Sequence, residues 1–314
     1  MVVSHKKDNF VIEIIDKPKI LDMKKTLLLL VAAAMSLSAV AQNTDSVKLI
    51  NAPRQELKLP KGAEGYTLLR AEILDSHQTV SVIKYSPKKF ETAIVQPEKL
   101  TRLSASAKAH GADFGVNAGY WDVRIDKPST FLKLNNEQIA VTADFEKERV
   151  DGLVCVGKKK VVLDYCKAGY ESAHAKKFKN ILAAGPVLID EGKCIDHDAY
   201  TKGMVDNAGG KPVGAFYTYT QRHPRTAIGT DKKGNVYLVV VDGRSAGNAE
   251  GVTISELTKI CAWLGMRDAI NLDGGGSSTM WTAEEGIVSY PCRNKKFDHG
   301  GERRVSSIIA VKQK

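Results

Sequence analysis

No two of the five cysteines stand as Cys-x-x-Cys, so neither a zinc ribbon nor a dithiol redox pair is encoded. The five (Cys155, Cys166, Cys194, Cys261 and Cys292) are odd in number, so one thiol stays free or pairs elsewhere even where export permits disulfides. Cys261 falls within an apolar helical pattern and reads as core. Glycine-rich stretches occur, but none has the G-x-x-x-x-G-K-[ST] or G-x-G-x-x-G spacing, which excludes a P-loop and a dinucleotide fingerprint. An arginine-rich arm interleaved with aromatics is also missing. The net charge of +10 is spread over scattered lysines such as Lys158–Lys160 and Lys295–Lys296. Such a surface suits phosphate-bearing small partners and speaks against nucleic acid. No apolar run approaches the roughly 20 residues of a membrane span.

What is present begins with a short apolar run, Leu27–Met35, preceded by Lys24-Lys25 and followed by Ala39-Val40-Ala41. That is the layout of a secretory signal. It places a signal peptide at 23–41, an upstream extension at 1–22, and a mature chain beginning at Gln42 in the periplasm or outside the cell. After cleavage no integral membrane segment remains. Residues 42–65 read as a linker or edge segment and 66–314 as the functional domain.

Strand-like runs dominate that domain: Tyr66–Leu74, Thr79–Tyr85, Thr92–Val95, Val161–Leu163, Pro186–Ile189, Thr226–Gly229, Val236–Val241 and Ser306–Val311. Thr230–Asn235 separates two of them as a hairpin loop, with Gly234 free to take positive φ. Two helices are expected. One covers Leu100–His110. The other covers Ile254–Leu264, opened by a Thr253/Glu256 capping box and stopped by Gly265. The expectation is a single α+β domain with a mixed β-sheet core and a few flanking helices.

Chemistry concentrates in the C-terminal third. Val236–Val241 is apolar throughout, as in a strand buried on both faces, and ends in Asp242-Gly243-Arg244. After the capped helix, Ala269–Leu272 ends in Asp273-Gly274-Gly275-Gly276-Ser277-Ser278. Strands joined through one helix are expected to be neighbours. If parallel, they bring Asp242 and Asp273 to one cleft at their carboxyl ends. Three successive glycines cost conformational entropy. They are explained either by backbone N–H groups cradling an anion, with Ser277 and Ser278 adding hydroxyls, or by a tight turn capped by Asp273. His223 and Arg225 precede a strand, and arginine's planar fork suits phosphate; taken alone, such an arginine is more often a surface or salt-bridge residue. Asn117, Tyr120 and Trp121 offer a polar group and stacking platforms for a sugar, or simply core.

In this order, these clusters resemble the phosphodiester glycosidase family, which includes the lysosomal uncovering enzyme. The matching stretches are Asn117–Trp121, Ala184–Leu188, Pro224–Gly229, Val241–Arg244, Asn271–Ser278 and Glu302–Ser306. At Pro128-Ser129-Thr130 the chain lacks a glycine found in the family's pattern, which leaves the sugar recognised in question. The resemblance implies an exported hydrolase that cleaves the glycosidic bond of a sugar-1-phosphate diester, a phosphate-linked carbohydrate. Asp273, Asp242, Asn117 and Arg225 are then the catalytic candidates. Gly274, Gly275, Gly276, Ser277, Ser278, Arg244, Arg303, Glu302, Tyr120 and His223 are substrate-binding candidates. No cofactor is required, though Asp242 and Asp273 are also hard ligands suited to a divalent cation. A metal-dependent phosphodiesterase cutting the P–O bond and a non-catalytic glycan-binding module are the competing classes.

Overall fold

A computed structural model describes residues 44–174, 176–198 and 219–314. The chain divides into two units, Met1–Asp45 and Ser46–Lys314. The upstream extension and the signal segment lie outside the described residues. The segment expected to be a linker carries helical backbone up to residue 51 and an edge strand, Arg54–Glu56.

An eight-stranded sheet forms the centre. Its middle is Ser76–Tyr85, Val236–Val241, Arg225–Thr230 and Asp268–Asn271, in that spatial order. Two five-stranded sheets accompany it. One includes Gly152–Gly157 and Asn180–Ala184; the other includes Phe114–Asn117, Met280–Thr282 and Ile308–Gln313. The α+β class holds, with helices at Leu103–Ala109 and Ile254–Trp263.

The strand Val236–Val241 explains how the layers are held. Val236, Leu238 and Val240 enter a core shared by all three sheets, among Phe114, Val154 and Ile270. Tyr237, Val239 and Val241 point the other way and pack with Ile254, Leu257, Ile260 and Cys261 of the long helix. Period-two alternation puts apolar side chains on both faces because both faces are covered. The helix is opened by the Thr253/Glu256 capping box, and Gly265 follows its end at φ 83°. The hairpin Arg225–Val241 turns through Asp231–Asn235, with Gly234 at φ 78°.

Two expectations are corrected. Every ladder between the described strands is antiparallel, so the core is not a mixed sheet. Nor do Val236–Val241 and Asp268–Asn271 neighbour each other, because Arg225–Thr230 lies between them and pairs antiparallel to both. The two outer strands therefore still run in the same direction, and their carboxyl ends leave at the same end of the sheet.

Candidate active site

Asp273 lies just past the Asp268–Asn271 strand, where the large sheet meets the end of Phe114–Asn117. Its N–H donates to the Ala118 carbonyl at 2.9 Å. Asn117 is fully buried at this junction. Its Nδ2 donates to the Asp273 carbonyl at 2.6 Å. Its Oδ1 accepts from the Thr226 hydroxyl at 2.8 Å and the Thr279 N–H at 3.1 Å. One amide thus fastens three segments, and its hydrogen bonds face inward. Asn117 does not line the pocket that contains Asp273; it fixes the backbone that carries Asp273.

The glycines after Asp273 have steric reasons. A Cβ on Gly274 would sit 2.9 Å from the Pro224 carbonyl oxygen, and Gly275 has φ 61° with Arg244 Nη2 3.2 Å from where its Cβ would be. The Gly275 N–H donates to the Pro224 carbonyl at 2.7 Å, which removes it from the expected anion cradle and leaves Gly274 and Gly276 as candidates. Ser277 is buried and hydrogen-bonds the Asp273 side chain. Ser278 is buried with Oγ unpartnered. Neither serine lines the pocket.

The pocket itself, about 170 Å³, is lined by Asp273, Asn271, Tyr120 and Tyr219, with Arg149, Arg225, His223, Arg244, Gly274 and Gly275. Burial pushes the Asp273 carboxyl up to about 6, with the Ser277 hydrogen bond and the nearby Arg149 and Arg303 opposing it. Arg225 is brought down to about 10 by burial and so keeps its charge at neutral pH; its Nε and Nη2 donate to the Val252 and Gln221 carbonyls at 3.0 Å each. Burial, with Arg225 and Arg244 close by, lowers the His223 imidazole and favours its neutral form. Tyr120 donates to the Gly185 carbonyl at 2.6 Å and accepts from Asn271 Nδ2 at 2.8 Å. Arg149 lies 3.9 Å over the Tyr120 ring and is ion-paired with Glu146.

Arg149, Tyr219 and Asn271 are pocket residues that the sequence reading did not single out. Asn271 was inside a quoted motif, where its position before Asp273 was the available signal. Arg149 belongs to Glu146-Lys147-Glu148-Arg149, which looks like any solvated charge run, and Tyr219 has no signal of its own. Arg244, Gly276 and Arg303 line an adjoining cavity that shares the Gly274–Gly275 wall. Trp121 supports it: the Arg303 guanidinium lies 4.8 Å over its ring.

Two carboxylates lie elsewhere. Glu302 accepts from the N–H and hydroxyl of Ser104, both at 2.7 Å, at the start of the Leu103–Ala109 helix. It acts there as a helix-terminus acceptor. Asp242 leaves its strand on the side of Ser76–Tyr85, its N–H donating to Thr79 at 2.9 Å. Its Oδ1 accepts the Tyr290 N–H at 2.9 Å, its Oδ2 is buried without a partner, and the residue is 1% exposed. The expectation that Asp242 and Asp273 share a pocket is therefore corrected. Among the described residues, no three His, Cys, Asp or Glu side chains group as metal ligands would.

Burial pushes the Asp242 carboxyl up to about 8. A group harder to ionise in the fold than in the unfolded chain (about 3.9) lowers stability as pH rises between those values. Asp242→Asn should accordingly raise the thermal midpoint more at pH 8 than at pH 4, by at least ~4 °C for a chain of this size. Thermal scans of both proteins at the two pH values check this, and an equal shift at both would contradict it.

The phosphodiester glycosidase family profile matches residues 110–312, and the chain belongs to that family. It is 36% identical over 90 residues to the N-acetylglucosamine-1-phosphodiester alpha-N-acetylglucosaminidase of Bos taurus, covering 28% of this chain and 16% of that protein. To the SPbeta prophage-derived uncharacterized protein YomE of Bacillus subtilis (strain 168) it is 32% identical over 136 residues, covering 39% and 20%. These matches span less than a quarter of either relative's own length. The fold is shared with the catalytic domain of the zebrafish N-acetylglucosamine-1-phosphodiester alpha-N-acetylglucosaminidase, auto-inhibited by pro-peptide. That comparison has a TM-score of 0.59 and 16% identity, over 83% of this chain and 88% of that one. A hypothetical protein from Synechocystis gives a TM-score of 0.59 at 16% identity, over 83% and 64%.

Proposed function

We propose that the chain hydrolyses the glycosidic bond of a sugar-1-phosphate diester, releasing free sugar and a phosphate monoester. The observation that carries this reading is Asp273, a partly buried carboxylate held near neutrality in a pocket whose other charged side chains are arginines. In the reaction the anomeric carbon loses its bond to the phosphate oxygen and gains one to water. Phosphate leaves as an anion, so the step depends more on stabilising that charge than on protonating it. Arg225 and Arg244, with the N–H groups of Gly274 and Gly276, take that role. Asp273 faces the developing oxocarbenium ion and accepts the proton of the attacking water. Tyr120 and Tyr219 bound the sugar, for which an N-acetylglucosamine-like ring is the working candidate. With Asp242 buried and accepting the Tyr290 N–H, Asp273 is the carboxylate for this work.

Product analysis of one such diester is the test. Free sugar with a phosphate monoester supports the reading. A sugar phosphate would replace it with a phosphodiesterase, and absence of turnover with a binding module. From the signal-like stretch at 23–41 we also infer that the protein works outside the cytoplasm, and the intact mass from the native host should correspond to a chain starting at Gln42. A cytoplasmic species retaining Met1 would overturn that placement.

A further inference from the structure

Beside the small pocket, across the Gly274–Gly275 wall, is a cavity of about 420 Å³ lined by Arg244, Arg293, Lys295 and Arg303, with Cys292 and Gly276. No carboxylate lines it, and none of these four cations forms an ion pair among the described residues. Four like charges around one cavity repel one another, and solvent screens that repulsion only in part.

The loop carrying two of them is built rather than slack. The Arg293 N–H donates to the Gly301 carbonyl at 3.2 Å, and Asn294 Nδ2 donates to Asp298 Oδ1 at 2.7 Å. Lys295 closes the Cys292–Asn294 turn at φ 59°, and a Cβ on Gly301 would fall 1.7 Å from the Pro291 carbonyl oxygen. Arg244, which also lines the cavity, stands at φ 63°, a conformation side-chain-bearing residues rarely adopt, with Nη1 3.8 Å from Cys292 Sγ. Arg303 is held over the Trp121 ring.

One phosphate at the shared glycine wall does not explain Arg293 and Lys295, which line the larger cavity and not the pocket of Asp273. We propose that this cavity is a second anion subsite, so that the preferred substrate carries another phosphate on its leaving-group side. The inference rests on the reading of the Asp273 pocket as a phosphodiester glycosidase site. The shared chemistry has two sources: a chain of repeating phosphodiesters, or a directly linked diphosphate.

Three substrates with the same sugar-1-phosphate separate them: one with an uncharged alcohol, one with a phosphorylated three-carbon alcohol, and one with a directly linked diphosphate. At least one of the charged leaving groups should give a higher kcat/KM than the uncharged one at low salt, and the advantage should shrink as salt screens it; which of the two is preferred tells the sources apart. In Arg293→Gln/Lys295→Gln, the ratio of kcat/KM between charged and uncharged leaving groups should fall at least ~10-fold, chiefly through KM. If neither charged leaving group is preferred in the wild type, the proposal is wrong. If the ratio is the same in both proteins, the subsite itself is wrong.

A second measurement does not need turnover. Alkylation of Cys292, followed by site-resolved mass spectrometry, should be slowed by glycerol bisphosphate in the wild type and not in the double variant. Each rate is compared with the same protein lacking the probe, because removing cations changes thiol reactivity by itself. Equal protection in both proteins overturns the subsite whether or not the glycosidase reading survives. Protection lost in the variant, with no sugar released from any diester, retains the subsite and removes the glycosidase reading.

Discussion

Asp273→Asn should reduce free-sugar release from a sugar-1-phosphate diester by at least ~10²-fold while leaving the fold intact. Asparagine keeps the volume and an acceptor for the Ser277 hydrogen bond, so a side chain that merely caps the glycine turn would tolerate the change. The wild-type carboxyl is lifted to about 6 by burial. Its kcat/KM should consequently rise through pH 6 as the working carboxylate forms, and that acid limb should be missing from the variant's residual rate. Stability should move the opposite way. Asp273 ionises less readily in the fold than in the unfolded chain, so it lowers stability as pH rises from about 4 to about 6 and keeps it lowered above. Removing the charge should therefore stabilise the protein at pH 7 by about 2 kcal/mol relative to the change seen at pH 4. Lost turnover with retained or raised stability is the pattern of a reacting group placed at a cost to the fold. Near-normal turnover on a verified substrate would make Asp273 a turn cap.

Local signals were the legible part of this protein. The Thr253/Glu256 box, the Gly234 turn and the two-faced strand Val236–Val241 depend on neighbours within a few residues, and each formed where its residues stand. Strand order was legible only in part: the Thr230–Asn235 loop announced the hairpin partner of Val236–Val241, but its other neighbour is Ser76–Tyr85, far earlier in the chain, and not the strand reached through the helix. The carboxylates show why motif membership did not separate roles. Asp242 and Asp273 both follow apolar strands and both precede glycine. What distinguishes them is Tyr290, 48 residues from Asp242, whose N–H holds one carboxylate inside the fold. Glu302 was likewise decided by Ser104, 198 residues away. Pairings at such separations leave no periodicity to read, and Arg149, packed on Tyr120, was hidden in an ordinary charge run for the same reason.

Asn117→Ala should be the most disruptive single change near the site without removing any group that faces the pocket. The truncation leaves the Thr226 hydroxyl, the Thr279 N–H and the Asp273 carbonyl without the partners that Asn117 provides. A buried polar group left unpaired costs roughly 1–3 kcal/mol, and three sharing one partner do not add independently, so a loss of about 3–5 kcal/mol is expected. At this chain length that corresponds to a fall of roughly 10 °C in thermal midpoint. A purely structural role would stop there. Asn117, however, grips the carbonyl of Asp273 itself, and a displacement of about 1 Å at a reacting group can cost ~10²-fold in rate. Ile260→Ala is the control. Ile260 is buried on the helix-covered face and does not line the Asp273 pocket, and its truncation costs about 2–5 kcal/mol by cavity formation. Assayed at a temperature where both variants are folded, Asn117→Ala should show kcat reduced at least ~10-fold with KM little changed, and Ile260→Ala should keep the wild-type kcat. Equal kcat in the two variants would show that Asn117 holds the sheets together without positioning the carboxylate.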